Sequence, residues 1–172
     1  DWGDDPHGEP NVVFRGTADG RFEEILPRSA TKVGTLGVSR GAAFGDFDND
    51  GGIDVVVLNR DGPPEVLRNV VPDRGNWVKF RVVDRNGRDA HGAEVTVRAG
   101  DAQWTDVVQT DGSYLAASDP RLHFGLGSSD VVAAVEIRWP DGTREDFGPQ
   151  EVNGIRQLRQ GEAPPASASG TP

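Results

Sequence analysis

Seven Asx-Gly dipeptides punctuate the chain: Asp19-Gly20, Asp50-Gly51, Asp61-Gly62, Asn86-Gly87, Asp111-Gly112, Asp141-Gly142 and Asn153-Gly154. Asn and Asp tolerate the left-handed region of backbone space and glycine enters it freely, so such pairs build tight chain reversals. Between them lie short runs with a period of two. Val78, Phe80 and Val82 alternate with Lys79 and Arg81, and Val95 and Val97 alternate with Glu94, Thr96 and Arg98. Ala133, Val135, Ile137 and Trp139 alternate with Ala134, Glu136 and Arg138. Such runs put apolar side chains on one face and polar ones on the other, the mark of half-buried strands. No stretch of ten residues carries a clean helical period, so the expected fold class is all-β.

A boundary is expected near Val71-Pro72-Asp73-Arg74-Gly75, between strands packed around an acidic loop and the longer alternating strands that follow. The final residues, 161–172, are rich in Pro, Ala and Ser and read as a disordered tail or linker. The expected organisation is therefore 1–71, 72–160 and 161–172. The chain has no methionine and starts at Asp1, and it reads as a piece of something longer.

The acidic loop spans residues 46–54, Asp-Phe-Asp-Asn-Asp-Gly-Gly-Ile-Asp. Carboxylates stand at loop positions 1, 3, 5 and 9, and Gly51 stands at position 6. Calcium takes six to eight oxygens, and alternate side chains of a tightly curled loop can converge on one ion. Four Asp with no basic residue among them also repel one another unless a cation sits between them. The spacing predicts a calcium site made by Asp46, Asp48, Asp50, Asp54 and the Gly52 carbonyl. It is not an EF-hand, because position 12 is Val57 where that loop needs Glu. The flanks, Gly41-Ala42-Ala43-Phe44 and Val55-Val56-Val57-Leu58, are also β-type, so the loop should join two antiparallel strands.

A strand–DxDxDGxxD–strand unit, here from Gly41 to Asn59, resembles the calcium loop of FG-GAP/VCBS repeats, which build β-propeller blades. The upstream stretch from Asn11 to Ile25 looks like the outer strands of the preceding blade, with Gly16 and Thr17 departing from the family pattern. Asn76-Trp77-Val78-Lys79-Phe80, His91-Gly92-Ala93, Gly112-Ser113-Tyr114-Leu115, Leu122-His123-Phe124-Gly125-Leu126-Gly127 and Val135 to Gly142 then follow in order. That series resembles the ASPIC/UnbV domain. The pairing implies a propeller-blade-like antiparallel unit followed by an antiparallel β-sandwich or barrel-like domain. It also implies a secreted, extracellular or periplasmic calcium-binding protein, with no catalytic residues to carry over. A propeller needs several blades, and this chain holds little more than one, so the blade either joins others or packs directly on the following sheet.

Other motifs carry less. Gly37-Val38-Ser39-Arg40-Gly41 matches G-x-S-x-G, but a nucleophile elbow needs a helix after the serine, and here strand and loop follow. His7, His91 and His123 are scattered along the chain, and Gly125-Leu126-Gly127 lacks a third glycine and a βαβ setting. Trp2, Trp77, Trp104 and Trp139 could line a sugar-binding face, although alternating strand contexts place the last three in or beside a core. A net charge of -10 repels phosphate backbones and disfavours nucleic acid. The absence of cysteine removes disulfides and thiolate metal sites. No apolar stretch approaches the roughly 18 residues of a membrane span. The expected function is a non-enzymatic, calcium-binding interaction or scaffold module for a protein or glycan partner. A carbohydrate-binding accessory domain and a subunit of an enediyne-type biosynthetic complex are the alternatives.

Overall fold

The computed structural model describes residues 7–17, 19–24, 36–60 and 62–165. These residues form strands and turns, and no helix among them is long and apolar enough to cross a membrane. Asp61-Gly62 is described only at Gly62, and Trp2 lies outside the described residues.

The first strands are short: β1 (Glu9–Pro10), β2 (Phe14–Gly16), β3 (Phe22–Glu24) and β4 (Leu36–Gly37). β2 and β3 form a hairpin turned at Asp19-Gly20, and β1 pairs with β4. Next come β5 (Ser39–Gly45), β6 (Asp54–Asn59) and β7 (Glu65–Leu67), a three-stranded antiparallel sheet with β6 in the centre. The acidic loop is the β5–β6 connection, as its β-type flanks predict. Gly45 pairs with Asp54 across its base.

The remaining strands are β8 (Asn76–Val83), β9 (Glu94–Ala99), β10 (Ala102–Val107), β11 (Leu122–Gly127), β12 (Val131–Val132), β13 (Ala134–Arg138), β14 (Arg144–Asp146), β15 (Gln150–Glu151) and β16 (Gly154–Arg159). One sheet has the order β10-β9-β13-β14 and another β11-β8-β16. Their inner faces meet in one buried cluster. Val78, Phe80, Leu122, Phe124 and Leu158 come from one layer, and Val95, Val97, Val135 and Ile137 from the other. Full burial of each such side chain contributes about 1.5–3 kcal/mol. Trp139 completes the cluster, its indole N–H donating to Glu145 Oε2 at 2.9 Å. The Asp141-Gly142 turn closes the β13–β14 hairpin with Gly142 at φ 85°, a conformation that a side chain would strain.

Three features depart from the sequence expectations. β16 runs parallel to β8, so the layer is mixed where purely antiparallel pairing was expected. The reason is topological: β16 reaches the edge of β8 after a crossover from the opposite sheet, and only strands joined by a hairpin must be antiparallel. Lys79 does lie opposite Val78 and Phe80, yet it is 1% exposed, because the acidic loop covers that face of β8 at Lys79 while Arg81 two residues on stays exposed. At the chain's end, the Gly161 amide donates to Glu145 and Ala163 packs on the core, so the stretch expected to be a tail is anchored at its start.

Candidate metal centre

Asp46, the residue that follows β5, is fully buried. Its Oδ1 accepts the Asp50 amide N–H and its Oδ2 the Gly51 N–H, each at 3.0 Å. These two bonds curl residues 46–51 into a tight turn. Asn49 at φ 60° and Gly51 at φ 88° supply the left-handed backbone that the turn requires. Asp48 Oδ1 also accepts the Asp50 N–H, at 3.3 Å, and Asp50 Oδ1 accepts the Gly52 N–H at 2.9 Å. One carboxylate oxygen from each of Asp46, Asp48 and Asp50 consequently lies within 4.8 Å of the others.

The remaining predicted ligands behave differently. Asp54, 1% exposed, opens β6 and turns both oxygens to the backbone. Oδ2 accepts the Phe47 N–H at 3.0 Å and Oδ1 the Asn69 N–H at 2.8 Å. It ties the start of the loop to the chain beyond β7, and it does not join the cluster of three. Gly52 is buried at the foot of the loop, where a Cβ would meet Arg74 Nη1 at 2.6 Å.

Each clustered carboxylate has a cation from outside the loop. Lys79 Nζ lies 2.6 Å from Asp46 Oδ2, while Arg68 bonds Asp48 and Arg74 bonds Asp50. Burial pushes the Asp46 carboxyl up, but the Lys79 ammonium and the Gly51 and Asp50 amides outweigh it and leave it below the usual range. The Arg74 guanidinium, with the Gly52 amide, lowers Asp50 in the same direction. A local reading of the loop could not find these cations, because they come from β8 and from the segment between β7 and β8.

The loop is seated on the outer face of the β11-β8-β16 sheet. His123 Nε2 donates to the Gly51 carbonyl at 2.9 Å, and the His123 ring stacks on Trp77 with centroids 5.9 Å apart. Burial lowers the His123 pKa, so the ring is held neutral. A Cβ on Gly51 would come within 2.1 Å of Trp77 Nε1, so the backbone there rests directly on the indole. Arg121, paired with Asp119, donates to Asn49 Oδ1 at 2.9 Å and to the Asp46 carbonyl at 3.3 Å. The outer edge of β5 is covered as well. The Ala42 and Phe44 amides donate to the hydroxyls of Ser113 and Ser118, and the Asp119 amide donates to the Phe44 carbonyl.

The donor set suits a hard divalent cation. All the converging atoms are carboxylate oxygens, no thiolate or imidazole stands among them, and the loop is tightly curled, which favours calcium over softer metals. Against this, Asp46 has already committed Oδ2 to two donors, and an ion would have to draw on Oδ1 together with Asp48 and Asp50.

Ser39 lies on β5, and its hydroxyl donates to Asn59 Oδ1 at 2.9 Å. The chain continues as strand through Gly45, so the G-x-S-x-G stretch does not form a strand-to-helix elbow. Of the tryptophans, Trp139 is fully buried, Trp104 packs against the core and Trp77 lies beneath the loop, so these three do not form a row.

Fold and site together define an all-β protein in which an aspartate-rich hairpin loop is clasped to a two-layer β unit. Residues 83–165 match the family model described as ASPIC and UnbV. Over 155 residues, 86% of this chain, the sequence is 31% identical to human (Homo sapiens) cartilage acidic protein 1 and 29% identical to the mouse (Mus musculus) protein of that name. The chain spans 23% of the length of each of these relatives.

Proposed function

We propose that this chain is a calcium-binding, non-catalytic interaction or scaffold module that works outside the cytoplasm, secreted, extracellular or periplasmic. The observation that carries the reading is the convergence of Asp46, Asp48 and Asp50 within 4.8 Å on a hairpin loop whose spacing is that of a calcium ligand set. In this reading residues 1–71 are an FG-GAP/VCBS-like, propeller-blade unit and residues 72–160 an ASPIC/UnbV-like β domain. Each Asp54 oxygen accepts a single amide N–H and keeps a lone pair, so Asp54 and the Gly52 carbonyl would complete the ion's shell once it binds. The similarity to proteins named cartilage acidic protein supports an extracellular setting. The partner is a protein or glycan, and a net charge of -10 argues against nucleic acid.

Calcium would supply charge neutralisation and rigidity to the loop. Extracellular calcium modules bind with Kd of about 10⁻⁴–10⁻³ M. A few millimolar calcium would then add roughly 1–2 kcal/mol to the native state. Titration calorimetry on the chelator-treated chain should show one site, severely weakened in Asp48→Ala. An absence of calcium heat in the parent, or binding left intact in that variant, would overturn the assignment.

A further inference from the structure

A buried cation enters the acidic loop from β8, the central strand of the β11-β8-β16 sheet. Lys79 is 1% exposed and Asp46 0%, with Nζ 2.6 Å from Oδ2. A lysine is almost never buried to this degree unless it is paired, and an unpaired buried carboxylate is as costly. The two residues are 33 apart in sequence, so the pair joins the β5–β6 hairpin to the sheet built on β8. The loop's other two cations differ in kind. The Arg68 and Arg74 side chains are 59% and 23% exposed and sit on connecting segments, from which long side chains can swing into solvent. Lys79 stands inside a strand, with Phe80 and Val78 fixed in the core on either side, and has no route out while the loop is seated.

We infer that Lys79 is an internal counter-ion that holds the acidic loop on the second sheet without metal and competes with any divalent cation for Asp46. The clasp stands on the buried pair alone; the competition rests on the calcium-binding reading above. An ion on Asp46 Oδ1 would lie within a few ångströms of an ammonium that cannot leave, and the two like charges would repel. Lys79 thus lowers the loop's affinity for calcium and makes its closure less dependent on it.

The test is Lys79→Met in the full chain, which removes the charge at nearly constant length. Thermal melts in chelator and in millimolar calcium, with calorimetric titration, give the readouts. In chelator the variant should melt well below the parent, because Asp46 is left buried and unpaired. Its calcium affinity should rise about tenfold, the factor that 1.4 kcal/mol of relieved repulsion represents. Its calcium-induced rise in Tm should exceed that of the parent. A merely structural lesion would weaken binding instead. The double variant Asp46→Asn/Lys79→Met, with neither charge, should recover much of the lost Tm in chelator and lose the enhanced calcium response.

If Lys79→Met melts like the parent in chelator, the clasp is refuted. If the parent binds calcium and Lys79→Met binds it no tighter, the competition is refuted while the calcium reading stands. Calcium binding by Lys79→Met but not by the parent would support the competition and overturn the calcium reading for the parent. If neither binds, the competition falls with the calcium reading. Should Lys79→Met fail to fold in chelator, folding restored by calcium or by the added Asp46→Asn supports the clasp, and failure of both overturns it.

Discussion

Replacing Asp54 by Asn separates a backbone clamp from a metal ligand. The Asp54 carboxylate is 1% exposed and accepts two amide N–H groups, from Phe47 at 3.0 Å and Asn69 at 2.8 Å. Asn keeps the shape but offers one oxygen and an NH2, so one buried amide must face another donor. Hydrogen bonds to charged groups contribute about 1.5–3 kcal/mol, and a buried donor left unsatisfied costs about 1–3 kcal/mol. One bond lost outright and one weakened by loss of charge should therefore cost roughly 2–4 kcal/mol. For a chain of this size that lowers Tm by roughly 4–16 °C. The assay is a thermal melt in excess chelator, followed by tryptophan fluorescence, since Trp77 lies against the loop. If Asp54 served only as a calcium ligand, Asp54→Asn in chelator would be neutral, or stabilising through relief of carboxylate repulsion. Either result would refute the reasoning.

Two further outcomes are expected. Gly51→Ala puts a Cβ at φ 88° and within 2.1 Å of Trp77 Nε1. Left-handed strain and overpacking should together cost about 2–5 kcal/mol and shift the Trp77 emission, and an unchanged melt and spectrum would contradict the close contact. Acid should destabilise the protein in two stages. The pKa of His123 is depressed, so below about pH 6.5 the unfolded chain takes a proton that the native state refuses, and stability falls with pH; His123→Gln should flatten that limb. Asp46 and Asp119 are also depressed, because the Lys79 and Arg121 partners outweigh burial. Their contribution is complete above the unfolded value of about 3.9 and is lost as pH falls through the folded values. Urea midpoints measured from pH 7 to pH 2 would show both limbs, and a flat profile would count against both assignments.

The local features of this protein were legible in its sequence, because each is written in contiguous residues. The alternation around Val78, Phe80 and Val82 and around Val95 and Val97 marked β8 and β9 and gave the correct inner faces. The β-type flanks of residues 46–54 placed the loop between two antiparallel strands, and its aspartate spacing gathered Asp46, Asp48 and Asp50. Only the tertiary structure decided what meets that loop. Lys79 reads as an ordinary outward residue of an alternating strand, and becomes a buried counter-ion because a loop 33 residues earlier covers it. His123 acquires its role from the Gly51 carbonyl, 72 residues away. Asp54 matches a ligand position in the sequence, and the fold gives it a second role, since its oxygens also accept the amides of Phe47 and Asn69. The parallel placement of β16 beside β8 is likewise a matter of which sheet edge a returning strand reaches. Periodicity and spacing encode the direction of a side chain relative to its own backbone. The partner it finds there depends on how distant segments pack, and that is settled only when the two layers and the loop close together.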